Sequence, residues 1–262
     1  MDLSDAYANG PHIAQAGTYP PRWAEAAACY RKALSLKGRL RSGLPYGRGP
    51  RERFDLFLPD GPPEGLVVFV HGGYWMAFGR EDWSHLAGGA VARGWAVALP
   101  SYDLCPDIGL SGITRQIAAA VTAAAAEVAG PIRLAGHSAG GHLVARMLAP
   151  GMLPDPVAAR IAHVMPISPL SDLRPLMQTG MNEKLRLDAV EAWAESPVAM
   201  APPECPVTVW VGADERPAFL DQARWLSEAW HCDAVIDPGR HHFDVIDGLA
   251  DPDSAMTRHL LA

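Results

Sequence analysis

Ser138 stands in the run Gly136-His137-Ser138-Ala139-Gly140-Gly141-His142, between a short apolar stretch (131–135) and a helix-forming one (143–148). A serine flanked by glycines two positions away on each side, at a strand-to-helix junction, is the pattern of a nucleophile elbow. So sharp a turn leaves no room for side chains at the flanking positions, which glycine supplies. It would lift the Ser138 hydroxyl above the edge of a sheet and aim the Ala139 amide at the oxygen of an attacked carbonyl. Further donors for that oxygen are expected from the loop after an early strand. The sequence has one: the apolar run 66–70 leads directly into His71-Gly72-Gly73-Tyr74-Trp75. The Gly72 and Gly73 amides are assigned with Ala139 to an oxyanion hole, where a single donor is worth roughly 3–4 kcal/mol of transition-state stabilisation. His71 reads as a brace for the loop, and Tyr74 and Trp75 as pocket wall, joined by Tyr102 from a later loop on the same edge.

A serine hydroxyl needs a base, and the base needs an acid to orient it. When the serine comes first, the acid and then the histidine follow, each at the C-terminal edge of a strand. His241 and His242 compete as base; His242 is favoured because Phe243 beside it can anchor the loop. Asp214 and Glu215 are adjacent just past Gly212, and only one of them can face the histidine. Asp172, Asp237 and Asp244 are more distant alternatives. This chemistry requires no metal or organic cofactor.

The elements that must position these groups alternate as a doubly wound α/β sheet does. Strands are expected over 51–59, 66–70, 95–100, 131–135, 160–167, 206–212 and 233–237, from apolar runs and alternation bounded by turn residues. Helices are expected from Arg22, where Trp23, Ala26, Ala27, Tyr30, Ala33 and Leu34 recur at helical spacing, and over 83–93, 113–129 and 219–230. Residues 1–21 read as a surface arm, 41–50 as loop, and the proline-rich stretch 168–203 as a small lid or pocket wall. One domain spans 1–262, with 1–50 as its N-terminal arm and helix.

Composition bounds the rest. The chain has 262 residues, 49% hydrophobic, enough for one large core. A net charge of −7 argues against a general nucleic-acid partner. Cys29, Cys105, Cys205 and Cys232 show no metal-binding spacing and read as free thiols of a reducing compartment. No signal peptide is visible, and no apolar run nears the roughly 20 residues that span a bilayer. A cytoplasmic protein acting on a small molecule is expected, without a membrane partner; a homodimer is compatible with this.

The motifs 71–75 and 136–143, with His242-Phe243, resemble the kynurenine formamidase (arylformamidase) branch of the α/β-hydrolase fold. Tyr7 and Asn9, the Trp23 to Tyr30-Arg31 segment and Asp172-Leu173-Arg174-Pro175-Leu176 share the resemblance, which thus covers nearly the whole chain. Related hormone-sensitive-lipase-like esterases carry a third glycine where Tyr74 stands. The resemblance implies an acid three residues past the strand-ending glycine and four before a phenylalanine. Glu215, between Gly212 and Phe219, fits that spacing and is ranked first as the acid; Asp214, which fits a generic hydrolase, is the alternative. It further implies hydrolysis of an aryl formamide such as N-formylkynurenine through an acyl-enzyme. The alternatives are a carboxylesterase or thioesterase on small esters and, more remotely, a non-catalytic binding protein, since this fold hosts both.

Overall fold

The computed structural model describes residues 2–262. Eight strands form one sheet: β1 Leu40–Pro45, β2 Arg53–Phe57, β3 Leu66–Val70, β4 Ala96–Pro100, β5 Ile132–His137, β6 Ile161–Ile167, β7 Thr208–Gly212 and β8 Asp233–Asp237. Their order is β1-β2-β4-β3-β5-β6-β7-β8. The pairs β1/β2 and β2/β4 are antiparallel, and all later pairs are parallel. This is the α/β-hydrolase architecture, and the reason it forms is visible along β3. Its five residues are all apolar and all buried. Leu66, Val68 and Val70 face one hydrophobic cluster, Val67 and Phe69 the other. A strand apolar on both faces must be covered on both. The helices Leu110–Glu127, Ala139–Arg146 and Pro217–Trp230 contribute to the first cluster; Tyr19–Leu36 and Ala255–Leu261 contribute to the second.

All seven expected strands form, within a few residues of their expected ends. Three expectations are corrected. Residues 41–50 are not all loop, because β1 runs through Pro45 as the sheet edge. A proline without an N–H is tolerated there, and the bulge between Arg41 and Leu44 contains Gly43 at φ 70°. The helix expected over 83–93 is divided into a 3₁₀ stretch, Arg80–Ala87, and a short α-helix, Gly88–Ala92. Gly89 lies so close to Leu249 that a Cβ would fall 2.6 Å from its carbonyl oxygen, which is why small residues interrupt the pattern.

The third correction concerns residues 1–21, which do not simply run over the surface. Tyr7 and Asn9 are buried. The Gln222 side chain donates to the Tyr7 hydroxyl at 2.9 Å, and Tyr74 Oη donates to the Tyr7 carbonyl at 2.8 Å. The stretch 168–203 is likewise fastened down: Leu170, Leu173, Leu176, Leu185 and Leu187 are buried in the core.

The helix Tyr19–Leu36 is tied to the sheet by a buried carboxylate. Asp55, fully buried on β2, pairs with Arg31 and, at 3.1 Å, with Arg80. It also accepts from Ser42 Oγ at 3.0 Å and the Gly43 amide at 2.7 Å. Removing one member of such a cluster strands the others' charges away from water. Asp55→Ala is therefore expected to lower unfolding stability by about 3 kcal/mol or more, by comparison with other broken buried pairs. Urea denaturation checks this; a loss within experimental error would show the cluster to be dispensable.

Candidate active site

The turn after β5 holds Ser138 at φ 56° and ψ −116°, a conformation that non-glycine residues rarely adopt. Backbone packing around it leaves no slack. A Cβ on Gly136 would sit 2.2 Å from the Gly140 carbonyl oxygen, and one on Gly140 would sit 1.9 Å from that of Val70. The Ser138 amide donates to the Ile167 carbonyl at 2.8 Å, tying the turn to β6. Behind it, the helix Ala139–Arg146 is wholly buried.

The loop after β3 meets this turn. A Cβ on Gly72 would lie 3.1 Å from Ser138 Cβ, so only glycine lets the two backbones approach this closely. Gly73 sits at φ 104°, which also favours glycine. Among the described residues, no acceptor takes the amide hydrogens of Gly72, Gly73 or Ala139. Tyr102 underpins the loop, donating its hydroxyl to the His71 carbonyl at 2.9 Å while its ring stacks on the His71 imidazole at 4.4 Å. Trp75 packs edge-on against His142, with ring centroids 5.2 Å apart. Trp75 and Tyr102 have no exposed surface, which corrects their reading as open pocket wall. They are bulk beneath the loop. Tyr74 does remain partly exposed.

His242 and Glu215 are brought together. Nδ1 of His242 lies 2.6 Å from Glu215 Oε2. The other carboxylate oxygen accepts from the Gly212 amide at 3.0 Å and from Ser168 Oγ. The His242 ring lies between Phe219 at 4.4 Å and His137 at 4.6 Å, the latter the residue just before Ser138. Asp214 is exposed, and the hydrogen bond and ion pair of His242 go to Glu215 instead. His241 is occupied elsewhere, with Nε2 3.0 Å from the Tyr19 hydroxyl and Nδ1 3.2 Å from Asp244. Asp172 pairs with Arg174, and Asp237 accepts from the Trp210 indole; neither joins His242.

A cavity of about 280 Å³ opens beside His242 and Glu215. Its wall includes Asp214, Arg216 and His241, with Asn9, His12 and Ile13 from the N-terminal segment. The wall residues His12, Ile13 and Arg216, and the props Ser168 and His137, were not singled out by sequence spacing. Ser168 carries one late clue, a non-glycine residue at φ 47°, which only the structure reveals. Among the described residues, no three His, Cys, Asp or Glu side chains gather to hold a metal ion.

Several buried histidines around the site are held neutral. Burial pulls both His71 and His142 down to about 4 from an ordinary 6.5. Burial also lowers His137, with the nearby His242 charge acting in the same direction. A group depressed in the folded state is protonated first in the unfolded chain, so acid favours unfolding. Stability is expected to be fully present above pH 6.5 and to fall as pH drops toward 4. Thermal melts between pH 7.5 and 4.5 check this. The slope should lessen in His142→Gln, which keeps a donor for the Glu195 carbonyl that His142 Nε2 now meets at 2.8 Å.

With this geometry in view, the likeness to known proteins is specific. Residues 67–208, more than half of the chain, match the family model described as alpha/beta hydrolase fold. A kynurenine formamidase of Salmo salar is 29% identical over 83% of this chain and 80% of its own length. The crystal structure of a protein from Silicibacter sp. tm1040, described as a candidate thioesterase, is 62% identical with a TM-score of 0.98, each chain covered completely. A Pyrobaculum calidifontis esterase, 19% identical over 92% of this chain and 90% of that one, shares the fold with a TM-score of 0.69. The chain belongs to the alpha/beta hydrolase fold family and is a hydrolase of that class, similar to kynurenine formamidases over most of its length.

Proposed function

We propose that this hydrolase cleaves aryl formamides, N-formylkynurenine being the type, through a formyl ester on Ser138. The observation that carries the mechanism is the Glu215–His242 contact, with the His242 ring against His137, the residue before Ser138 on its strained turn, and loop amides nearby without other partners. Ser138 Oγ attacks the formyl carbon as His242 Nε2 takes its proton. The amides of Gly72, Gly73 and Ala139 hold the oxyanion. His242 then gives the proton to the leaving nitrogen, the C–N bond breaks, and the aryl amine departs. Water, activated by His242 in turn, releases formate. Glu215 holds the imidazole in the required tautomer, with its own second oxygen fixed by Ser168 and Gly212.

The formyl assignment is supported by the resemblance to kynurenine formamidases and by the packing under the loop. A formyl group puts a single hydrogen on the carbonyl carbon, so the acyl side of such a site can be tightly closed. Tyr74, next to the buried Trp75, fills space that a third glycine would leave open. The description given to the Silicibacter structure favours a second reading, a thioesterase using the same residues.

Three measurements test these readings. Ser138→Ala should reduce turnover about 10⁴-fold or more while the protein stays folded, by analogy with other serine hydrolases. Glu215→Gln should cost more kcat than Asp214→Asn; the reverse order would move the acid to Asp214. For the substrate, kcat/KM on one aromatic amine should fall steeply from formyl to acetyl to butyryl. One added methylene in a filled pocket costs roughly 10- to 200-fold. A flat or rising series, or faster cleavage of acyl thioesters, would replace the formamidase reading with the second one.

A further inference from the structure

The N-terminal segment brings a polar atom to the site that nothing in the protein satisfies. Asn9 is 2% exposed and forms part of the cavity wall beside His242 and Glu215. Its amide orientation is fixed by a relay. The Tyr74 hydroxyl must donate to the Tyr7 carbonyl at 2.8 Å, because a carbonyl can only accept. Tyr74 Oη therefore accepts, and Asn9 Nδ2, 2.8 Å away, is its donor. Asn9 Oδ1 is the opposite end of that amide. It is buried and has no hydrogen-bond partner among the described residues. Buried polar atoms left empty are uncommon, and this one belongs to a residue that shares a cavity wall with His242 and Glu215.

We propose that Asn9 Oδ1 accepts a hydrogen bond from the N–H of the leaving aryl amine, and so selects amides over the corresponding esters. This rests on the formamidase reading and adds to it a residue that discriminates on the leaving side. The leaving atom must lie against His242 to be protonated, and Asn9 shares the cavity wall with His242. An amide nitrogen carries a hydrogen that an ester oxygen lacks. After attack on the carbonyl, that nitrogen changes from planar to pyramidal, turning its lone pair toward His242. An acceptor holding the N–H fixes that orientation. No bond to Asn9 forms or breaks: the C–N electron pair goes to nitrogen, the new proton comes from His242, and the original N–H stays in place. Asp214 and Glu215 also line the cavity, but Asp214 is exposed to water and Glu215 is taken by His242, Ser168 and Gly212.

The test compares formanilide with phenyl formate, which share acyl group and ring and differ in N–H against O. The ratio of their kcat/KM values is measured for the wild type, Asn9→Leu and Tyr74→Phe. Asn9→Leu should lower the amide-to-ester ratio about tenfold, the value of one ordinary hydrogen bond. Tyr74→Phe removes the partner that fixes the Asn9 amide, so the ratio should fall in it as well, by no more than in Asn9→Leu. If Asn9→Leu does not fold, Asn9→Ala carries the same comparison without added bulk. Equal losses on both substrates in the Asn9 variants would overturn the inference and leave the formamidase reading standing. A wild type inactive on both formyl compounds would overturn the two together.

Discussion

The site depends on a close approach of backbones. The turn holding Ser138 is strained, and such a conformation persists only where its surroundings determine it. Here the surroundings are the carbonyl of Val70 at the end of β3, that of Ile167 at the end of β6, and the buried helix Ala139–Arg146. Gly140 and Gly141 are small because these carbonyls stand where their side chains would be, and Gly136 because the Gly140 carbonyl does. The same approach places Gly72 against Ser138, so the proposed nucleophile and the loop proposed to hold the oxyanion are positioned by one packing contact. Parallel order in the sheet makes this possible, since β3 and β5 are neighbours and end at the same edge.

A second layer of order is polar and links distant parts of the chain. Gln222, fully buried on the helix Pro217–Trp230, donates to Tyr7 Oη and to the Asp172 carbonyl and accepts from the Ser171 and Asp172 amides. Through Tyr7 and Tyr74 this network reaches the N-terminal segment and the loop after β3 together. Hydrogen bonds in such an enclosed network are costly to leave unmade, so satisfied members fix one another's orientation. Ser168 does the same for Glu215, and Phe219 with His137 confines the His242 ring. The carboxylate and imidazole are thus held in place before any ligand arrives. Neutral histidines suit this interior, because a positive charge on His137 would oppose the imidazolium that the proposed mechanism forms on His242.

The sequence by itself determined what local chemistry enforces. Short apolar runs between turn residues gave the positions of seven strands, because a strand buried on both faces admits little else. The glycines at 72, 73, 136 and 140 pointed to the elbow and its facing loop, since a turn that tight restricts residue type at each position. Edge strand β1 was not legible. Its residues are half-buried or exposed, and Gly43 and Pro45 resemble a loop until β2 is beside them. Residue type could not separate Asp214 from Glu215, and only the resemblance's spacing favoured Glu215; the path from β7 into the following helix turns Glu215 inward to His242 and leaves Asp214 exposed. Pocket residues followed the same rule. Trp75 and Tyr102 lie on the loops where a wall was expected, yet the loops fold so that both rings support them from beneath. Asn9 and Arg216 come to one cavity from opposite ends of the chain, and no periodicity can encode a contact over that separation. Their placement arises from burial of Tyr7 and the pairing of Arg216 with Asp5, interactions that exist only once the sheet has brought both ends together.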